Sequence, residues 1–516
     1  MATKMERLQE FRERKEKVLR REQGAIEKQH QLGKLTAQER IDKLFDSDTF
    51  EEIDAFVRHR CTYFGMEGKE IPADAVITGS GKINGRPAFV AAEDYTVAAG
   101  TYGEMHGKKM CKALDMAGRA RMPFVQIVDS GGLRLQEGQD ASEWYAQLFC
   151  RHTYWNGVIP QITISAGHTA GGAAYSPALT DFIIQVRGTG YMYMGGPAFV
   201  KTQLGEEATL DELGGVELHS KVTGLCDIMA ENDEHALQLA RELLGFLPSN
   251  NMERTPVVAM GDDPERLNEG IYDILPENYK RPFDMHGIIK QVIDKGYFFE
   301  IKRDFAPNMI TGFARLNGEV VGIIANNPMY IAGAIDYNAS DKLARFARIC
   351  DSFNIPLLQF QDTPAVMIGT QQERMGIIRH GSKMLYAYSE ATVPIITVIV
   401  RKSYAGAQLC MANKPMGADY VVAWPSAEIG SVGPATAASV IFAKEISAAE
   451  NPEEAKQRKE KEYADVWINP YRAAERGYID EIIEPQDTRR VIIHALERLK
   501  NKKLERPWRK HANMQM

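Results

Sequence analysis

Two short turns carry residue types that suit the binding of a negatively charged oxygen. The first contains Gly171 and Gly172, and the second contains Gly406 and Ala407. Each turn follows an apolar run that predicts a strand and precedes small residues that predict a helix. Backbone N–H groups at such a point can approach one oxygen together, because no side chain blocks the way. The pattern predicts two backbone oxyanion holes, although a lone glycine pair is also typical of an ordinary tight turn.

The usual side-chain constellations of hydrolases and metalloenzymes do not accompany these turns. His168 is the nearest candidate for a general base, but a single histidine in a glycine-rich turn is more often structural. Asp129 and Asp362 each follow a predicted strand and are interpreted as turn or helix-cap residues rather than an acid–base pair. Ser176 has no evident activating partner. Oxyanion holes without a side-chain base suit a reaction through an enolate whose proton partner belongs to a cofactor.

An internal repeat explains why there are two such turns. Asn84 and Asn317, each followed by glycine, are 233 positions apart, and Pro160 and Pro394 are 234 positions apart. A nearly constant offset indicates two copies of one domain. In each copy, short apolar strands alternate with helical stretches, which predicts an α/β fold with a largely parallel sheet. The Asn–Gly pairs predict a hairpin turn at the start of each copy.

The segment between the two copies predicts where the domains divide. It is rich in Pro, Asn and Asp and weakly periodic, which is typical of a linker. Thr36 and Glu39 form a capping box that starts a helix, and the last helix is expected to begin at Thr488. The predicted parts are a charged N-terminal helix in 1–34, a first domain in 35–251, a linker in 252–284 and a second domain in 285–516.

The composition predicts a cytoplasmic protein. The chain has 516 residues and a formal net charge of -7, which gives no electrostatic footprint for a nucleic-acid partner. Its start is charged rather than apolar, so no signal peptide is expected, and no apolar run of about 18 residues predicts a membrane span. The 6 cysteines are scattered without a C-x-x-C pair, so no metal site is predicted.

Several long motifs resemble one family. They are DSGGLRLQEG, AGGAAYSPALTDF, GIIRHGSKMLYAYSEATVP, GADYVVAWPSAEI and NPYRAAERGYIDEII. These motifs resemble the carboxyltransferase (β) subunits of biotin-dependent acyl-CoA carboxylases, most closely the propionyl-CoA type. They also resemble the matching subunit of biotin-dependent acyl-CoA decarboxylases. The resemblance extends from about Leu35 to Leu499, and it implies two tandem crotonase-like domains, each a β–β–α superhelix.

The resemblance also implies how the candidate residues act. A carboxyl group would move between carboxybiotin and the α carbon, or the vinylogous carbon, of an acyl-CoA through an enolate. Gly171 and Gly172 would hold the thioester oxygen, and Gly406 and Ala407 would hold the ureido oxygen of biotin. The other residues implied for acyl-CoA binding are Ala99, Gly100, Thr101, Gly131, Gly132, Ala173, Tyr175 and Leu409. The other residues implied for biotin binding are Ala365, Val366 and Gly369.

Biotin is expected on another polypeptide, because the sequence has neither an A-M-K-M attachment motif nor an ATP-binding carboxylase domain. The resemblance implies a biotin carboxylase and a biotin carrier as partners, and a homohexamer of this chain. The alternative is the reverse half-reaction in a sodium-pumping decarboxylase of glutaconyl-CoA or methylmalonyl-CoA. A membrane subunit would then join the biotin carrier, and the chain would lie at the inner membrane face.

Several positions depart from the propionyl-type pattern. Leu409 stands where an Asp associated with acyl-chain choice is usual, Ala365 replaces a Gly, and His168 and Thr169 alter a glycine-rich segment. These departures favour another acyl group, such as a longer, unsaturated or dicarboxylic one. Two further alternatives stay open. A biotin-independent crotonase-like hydrolase or hydratase would not need two equivalent turns, and the intact glycines argue against a non-catalytic scaffold.

Overall fold

The computed structural model describes residues 3–515, and this described chain divides into two compact units. The first unit ends at Glu253, and the second unit follows it directly. Met1, Ala2 and Met516, which belong to the predicted N-terminal helix and second domain, lie outside the described residues. Among the described residues, no helix is both long enough and apolar enough to cross a membrane.

The first unit alternates strands with helices along the chain. Its helices are α1 Lys4–Leu19, α2 Gln23–Gln31, α3 Ala37–Leu44, α4 Glu104–Ala120, α5 Gln139–Trp155, α6 Tyr175–Ala178, α7 Pro197–Leu204, α8 Leu210–Gly214, α9 Val216–Lys221 and α10 Asp233–Phe246. Its strands are β1 Glu51–Ile53, β2 Val76–Ile83, β3 Arg86–Glu93, β4 Phe124–Val128, β5 Gln161–Ser165, β6 His168–Ala170, β7 Phe182–Val186, β8 Tyr191–Tyr193 and β9 Ile228–Ala230.

In the described part of the first unit, seven strands form one sheet in the order β1-β2-β3-β4-β5-β7-β9. The first three strands pair antiparallel, and the β2–β3 hairpin turns at Asn84–Gly85, as the sequence predicts. The strands from β3 onward pair in parallel, and β6 pairs with β8 in a separate short ladder. Because parallel strands end at one edge of a sheet, the loops after β3, β4 and β5 meet at that edge.

The second unit has the same alternation. Its helices are α11 Met285–Val292, α12 Tyr337–Ser352, α13 Thr370–Arg374, α14 Ile377–Glu390, α15 Ala405–Cys410, α16 Pro434–Ile441, α17 Ala443–Ser447, α18 Pro452–Trp467, α19 Pro470–Glu475 and α20 Thr488–Leu499. Its strands are β10 Phe299–Ile301, β11 Met309–Leu316, β12 Glu319–Asn326, β13 Leu357–Thr363, β14 Ile395–Tyr404, β15 Tyr420–Ala423, β16 Glu428–Gly430 and β17 Glu481–Ile482.

In the described part of the second unit, eight strands form one sheet, ordered β10-β11-β12-β13-β14-β15-β17 with β16 beside β14. The hairpin between β11 and β12 turns at Asn317–Gly318, and the strands from β12 onward pair in parallel. The strand order therefore repeats that of the first unit. This repetition confirms the predicted α/β architecture with a largely parallel sheet in each copy.

Apolar faces of the helices cover the sheets. In α4, Met110, Leu114 and Ala117 recur at intervals of three or four residues and are buried with Val76 and Phe89 of the sheet. This period places the three side chains on one side of the helix. Burial of each large apolar side chain contributes about 1.5–3 kcal/mol, so this face holds α4 against the sheet.

Most of the predicted linker, 252–284, packs as part of the second unit. Ile271 and Phe283 are buried in the core of that unit. The N–H of Asn268 donates to the carbonyl of Gln486 at 2.8 Å. The segment shows no periodic pattern because it packs through isolated side chains rather than through one face of a helix or strand.

The prediction of a single N-terminal helix is wrong for the described residues. The segment forms α1 and α2, and Arg20 and Glu22 between them are extended. Arg21 lies at this break, where its Nε donates to Asp94 at 2.6 Å and its Nη1 donates to the carbonyl of Val18 at 2.6 Å. The chain leaves the helical path so that the Arg21 guanidinium reaches this nearly buried carboxylate. The capping box of Thr36 is confirmed.

Candidate active site

The first glycine turn lies at the carboxyl edge of the first sheet. A 3-10 turn spans Gly171–Ala174 and continues directly into α6. Gly171 has a φ of 61°, which favours glycine, and Gly172 is exposed. The first N–H groups of a helix have no acceptor within that helix. Among the described atoms, those nearest to a Cβ added at Gly172 belong to the Tyr145 ring, at 3.7 Å.

The second turn begins α15 and repeats the first. Ala405 has a φ of 52° and stands where the first copy has Gly171. Gly406 is exposed like Gly172, and Ala407 is buried like its counterpart in the first turn. Ala405 is therefore a member of the turn that the sequence reasoning missed. The repeat offset of 234, applied to Gly171, would have found it.

Ser130 joins three loops at the edge of the first sheet. Its N–H donates to the carbonyl of His168 at 2.8 Å, and its hydroxyl donates to the carbonyl of Gly100 at 2.6 Å. The N–H of Gly131 donates to the carbonyl of Ala99 at 2.8 Å. These bonds hold the loops after β3 and β4 beside the loop that leads into the glycine turn.

The remaining residues predicted for acyl-CoA binding in the first unit lie at the same edge. A Cβ at Gly132 would lie 3.8 Å from the carbonyl oxygen of Ala170, directly before the glycine turn. The hydroxyl oxygen of Thr101 accepts from Arg134 Nε at 3.2 Å. Tyr175 is 52% exposed at the start of α6. The structure thus gathers the predicted loops of the first unit, and their role in binding stays a prediction.

The residues predicted for biotin binding gather in the second unit. The N–H of Ile335, after β12, donates to the carbonyl of Ala365 at 3.1 Å, and Val366 forms a parallel bridge with Ile335. Gly369 has a φ of 125° and directly precedes α13. Leu409, predicted for acyl-chain choice, lies in α15 and is 38% exposed. Its contact with the acyl group stays a prediction.

The interpretation of Asp129 and Asp362 as turn or helix-cap residues is wrong. Both aspartates are fully buried and form ion pairs. Lys34 Nζ donates to Asp129 Oδ1 at 2.6 Å, and Arg40 Nη1 donates to Asp129 Oδ2 at 2.9 Å. Arg401 Nη2 donates to Asp362 Oδ2 at 2.7 Å. In each unit, a buried carboxylate therefore fixes the start of the loop that follows the second parallel strand.

The two copies differ beside these aspartates. Glu93 Oε2 accepts the N–H of Asp129 at 2.9 Å, whereas Asn326 Oδ1 accepts the N–H of Asp362 at 3.3 Å. Burial raises the pKa of Glu93 to about 8. His106 Nε2 lies 3.5 Å from Glu93 Oε1. At neutral pH, the Glu93 carboxyl group is therefore neutral, like the Asn326 amide that occupies the equivalent place in the second unit.

Glu93→Gln is expected to reduce the loss of stability at alkaline pH. The pKa of Glu93 is about 8 in the folded chain, whereas the pKa of an unfolded glutamate is about 4.3. The free energy of unfolding therefore falls as pH rises between these values and levels off above the higher one. Melting temperatures of the wild type and of Glu93→Gln should be compared from about pH 5 to about pH 9. The melting temperature of the variant relative to that of the wild type should rise toward alkaline pH.

The control for this prediction is Glu10→Gln in α1, where Glu10 pairs with Arg14 and both side chains are exposed. Its melting temperatures should follow those of the wild type. Wild-type and Glu93→Gln curves with the same pH slope would show that Glu93 is ionised in the folded protein.

His168 and Ser176 have partners that the sequence did not reveal. His168 Nδ1 lies 3.1 Å from the Tyr193 hydroxyl, and its ring stacks on Tyr191. Burial lowers the pKa of His168, so the ring is neutral at neutral pH. Ser176 Oγ lies 2.9 Å from His152 Nε2. Within residues 3–515, no group of three or more His, Cys, Asp or Glu side chains could hold a metal ion.

A comparison with family models identifies the family of the chain. The sequence model of the family described as the carboxyl transferase domain matches residues 28–514. The chain belongs to the carboxyl transferase family. This carboxyltransferase is 48% identical over 515 residues to the methylmalonyl-CoA decarboxylase subunit alpha of Veillonella parvula, covering 100% of both chains. It is 47% identical to the propionyl-CoA carboxylase beta chain of Cereibacter sphaeroides, covering 95% of this chain and 96% of that one.

A solved structure agrees with these relatives. The transcarboxylase 12S structure, described as a hexamer assembly with methylmalonyl-coenzyme A and methylmalonic acid bound, matches with a TM-score of 0.97. It is 46% identical and covers 100% of this chain and 99% of its own. The comparisons confirm the resemblance, the two-domain crotonase-like fold and the prediction of an acyl-CoA carboxyltransferase.

Proposed function

We propose that this carboxyltransferase moves a carboxyl group between biotin on a separate carrier protein and the α carbon of propionyl-CoA, with methylmalonyl-CoA as the carboxylated thioester. The observation that carries the proposal is the pair of equivalent helical turns that begin at Gly171 and Ala405. Relatives named for propionyl-CoA and methylmalonyl-CoA at 47% and 48% identity favour this pair of thioesters. They outweigh the departures at Leu409 and Ala365, which favoured another acyl group.

The turn of the first unit is proposed to bind the thioester oxygen. The N–H groups of Gly171 and Gly172 begin a helical segment, where the backbone dipoles favour negative charge. As the α carbon gains or loses its carboxyl group, negative charge develops on that oxygen. Donors already in place stabilise this charge without rearrangement, and one such donor contributes about 3–4 kcal/mol to lowering the barrier. The loops joined by Ser130 would orient the acyl group.

The turn of the second unit is proposed to bind the ureido oxygen of biotin. A Cβ added at Gly406 meets no atom of the described residues within 4 Å apart from its chain neighbours and its own helix backbone, so open space lies beside its Cα. The positive φ of Ala405 gives this turn the backbone path of the first one. These small residues fit a flat ring that must approach the backbone closely. Biotin, when bound, supplies the carboxyl group and the nitrogen that exchanges the α proton.

A second candidate function is the reverse half-reaction, decarboxylation of methylmalonyl-CoA. The identity of 48% to a decarboxylase subunit alpha favours it as much as the carboxylase relatives favour carboxylation. Both directions use the same two turns, and the partner subunits set the direction. A biotin carrier is a partner in either case, with a biotin carboxylase for carboxylation or a membrane subunit for decarboxylation. A homohexamer is proposed from the assembly described for transcarboxylase 12S.

The proposed function is tested with the purified full-length chain. Malonyl-, methylmalonyl-, glutaconyl- and 3-methylglutaconyl-CoA are each incubated with and without free biotin, and release of CO2 is measured. Loss of CO2 from methylmalonyl-CoA that requires biotin is the expected result. Biotin-dependent activity on another thioester would replace the proposed acyl group and keep the reaction. No activity on any thioester by folded, assembled protein would contradict the proposed function.

Leu409→Asp is expected to change the preference among acyl chains. Leu409 is partly exposed on α15, three residues after Gly406. A carboxylate there is strongly hydrated and disfavours contact with an apolar chain. The ratio of kcat/KM for methylmalonyl-CoA to that for ethylmalonyl-CoA should change by about tenfold. Leu504→Asp replaces another partly exposed leucine and should leave the ratio unchanged. The wild-type ratio in Leu409→Asp would remove Leu409 from the acyl pocket.

A further inference from the structure

A buried chain of polar side chains lies behind the first glycine turn. His152 of α5 stands between Gln161 of β5 and Ser176 of α6, and all three residues are buried. His152 Nδ1 lies 2.6 Å from Gln161 Oε1, and His152 Nε2 lies 2.9 Å from Ser176 Oγ. Ser176 Oγ also lies 3.1 Å from Gln126 Oε1 of β4. Ser176 therefore ties α6 to a helix and to a strand of the first unit.

The hydrogen bonds of Gln161 fix the protonation of this chain. Gln161 Nε2 donates to the carbonyl of His152 at 3.0 Å, so the opposite amide oxygen faces Nδ1 and accepts from it. Burial lowers the pKa of His152 to about 4, so the ring carries one proton at neutral pH. That proton lies on Nδ1, and Nε2 accepts from the Ser176 hydroxyl. The hydroxyl has a single proton and a second acceptor in reach, Gln126 Oε1, so this proton is shared between the two acceptors.

The order of serine, histidine and amide is that of a nucleophile with its base and orienting group. Ser176 is nevertheless only 4% exposed, and its hydroxyl is turned toward α5 and β4. An acyl group at the exposed Gly172 turn does not reach a hydroxyl enclosed in this way. The chain of hydrogen bonds therefore has a positioning role rather than a covalent one.

The glycine turn needs such an anchor because it is short. Gly171–Ala174 and α6 together make a helical segment of about two turns, and helices of this length are not stable through their own hydrogen bonds. Ser176 lies four residues after Gly172 in one continuous helical segment, in which Gly172 is exposed and Ser176 is buried. A shift at Ser176 therefore moves the N–H groups of the turn.

Among the described residues of the second unit, this anchor is absent. Cys410 occupies the position of Ser176 at the repeat offset of 234, and Gln359 occupies that of Gln126 at the offset of 233. Gln359 Oε1 accepts from the Tyr388 hydroxyl at 2.7 Å instead. The serine–histidine bond is thus specific to the copy that is proposed to bind the thioester.

We propose that Ser176 and His152 are positioning residues that hold the N–H groups of Gly171 and Gly172 at the thioester oxygen. This inference rests on the proposed function. The anchor acts on the turn, not on the coenzyme A moiety, so its loss should lower kcat and leave KM nearly unchanged. Donors displaced by about 1 Å cost about 100-fold in rate, which sets the scale of the effect.

The test compares variants of the full-length chain in biotin-dependent decarboxylation. Ser176→Ala is expected to lower kcat by about 10- to 100-fold, with KM for the thioester within about threefold of wild type. His152→Gln places an amide oxygen near the position of Nε2, where it can accept from the Ser176 hydroxyl, and should retain kcat within about threefold. The matched control is Thr488→Val, which removes a buried hydroxyl bonded to Trp424 Nε1 at 3.0 Å. It should lower the melting temperature without changing kcat per folded protein.

Each outcome decides between the inference and the proposed function. A wild-type kcat in Ser176→Ala, with Gly172→Val inactive, would overturn the positioning role and leave the function standing. Equal loss of kcat in Ser176→Ala and Thr488→Val would mean that the Ser176 hydrogen bonds contribute only to general stability. This result would also overturn the positioning role. Full activity in Gly172→Val would instead contradict the assignment of this turn as an oxyanion hole, and with it the proposed function of the turn. A low kcat in Ser176→Ala, together with a kcat close to that of the wild type in the separate variant His152→Gln, supports the inference.

Discussion

Gly172→Val is expected to lower kcat for biotin-dependent decarboxylation by at least about 100-fold in a protein that folds and assembles normally. A Cβ at this position would meet the Tyr145 ring at 3.7 Å, which is an ordinary contact. The isopropyl group would stand beside the N–H of residue 172, where the thioester oxygen is proposed to bind. The loss therefore reports the oxyanion hole rather than a failure to fold. Circular dichroism and gel filtration would establish folding, and release of CO2 would establish activity.

The control is Gly245→Val in α10, where an added Cβ meets no atom of the described residues within 4 Å. That variant should keep wild-type kcat. Gly406→Val, in the equivalent turn of the second unit, should also lose biotin-dependent activity if that turn holds the ureido oxygen. Near-normal turnover in Gly172→Val would remove Gly171 and Gly172 from the reaction.

The repeat made the fold predictable. Asn84–Gly85 and Asn317–Gly318 sit in equivalent hairpins, and the strands after them follow the same order. Each copy supports the interpretation of the other, because one irregular segment does not obscure a pattern that occurs twice. The N-terminal segment occurs once, and there the prediction of a single helix failed. Its break depends on Arg21 reaching Asp94, which is 73 residues away in the chain.

The candidate site was predicted from the sequence only where backbone groups are proposed to act. Glycine and alanine after a strand indicate a close approach from their types alone, which is why the sequence singled out Gly172 and Gly406, whose roles stay predictions. Ala405 was missed because an alanine does not by itself indicate a positive φ, and only the repeat offset from Gly171 points to it. The Ser176–His152 pair was missed because the two residues lie on separate helices 24 positions apart. Side-chain partners of this kind follow from packing and leave no spacing rule in the sequence.

The charged residues near the site form ion pairs that the sequence did not reveal, for a related reason. Lys34 and Arg40 stand in a segment that looks like a solvent-facing helix start, yet both are buried. Their partner Asp129 lies more than 80 positions away. A buried ion pair is rare enough that a charged residue is interpreted as exposed unless its partner is known.

Asp129→Asn is expected to destabilise the first unit by about 3–5 kcal/mol. The substitution keeps the shape of the side chain and removes its charge, so the buried Lys34 ammonium loses its ion-pair partner. Burial already lowers the pKa of Lys34, and without Asp129 that pKa should fall further. Arg40 keeps its bond to Asp233 at 2.8 Å, which limits the loss at that side. Urea unfolding followed by fluorescence should show a clearly lower midpoint than wild type.

Glu10→Gln is the matched control for this last prediction, because it removes one charge of an exposed pair with Arg14. Exposed pairs contribute little, so its unfolding midpoint should equal that of the wild type. An equal midpoint in Asp129→Asn would mean that desolvation of the buried charges cancels their attraction. In that case, a drop in kcat without a drop in stability would mean that Asp129 positions the Gly131 loop and does not stabilise the fold. A drop in both would show that the same ion pairs stabilise the fold and the edge of the sheet that is proposed to bind acyl-CoA.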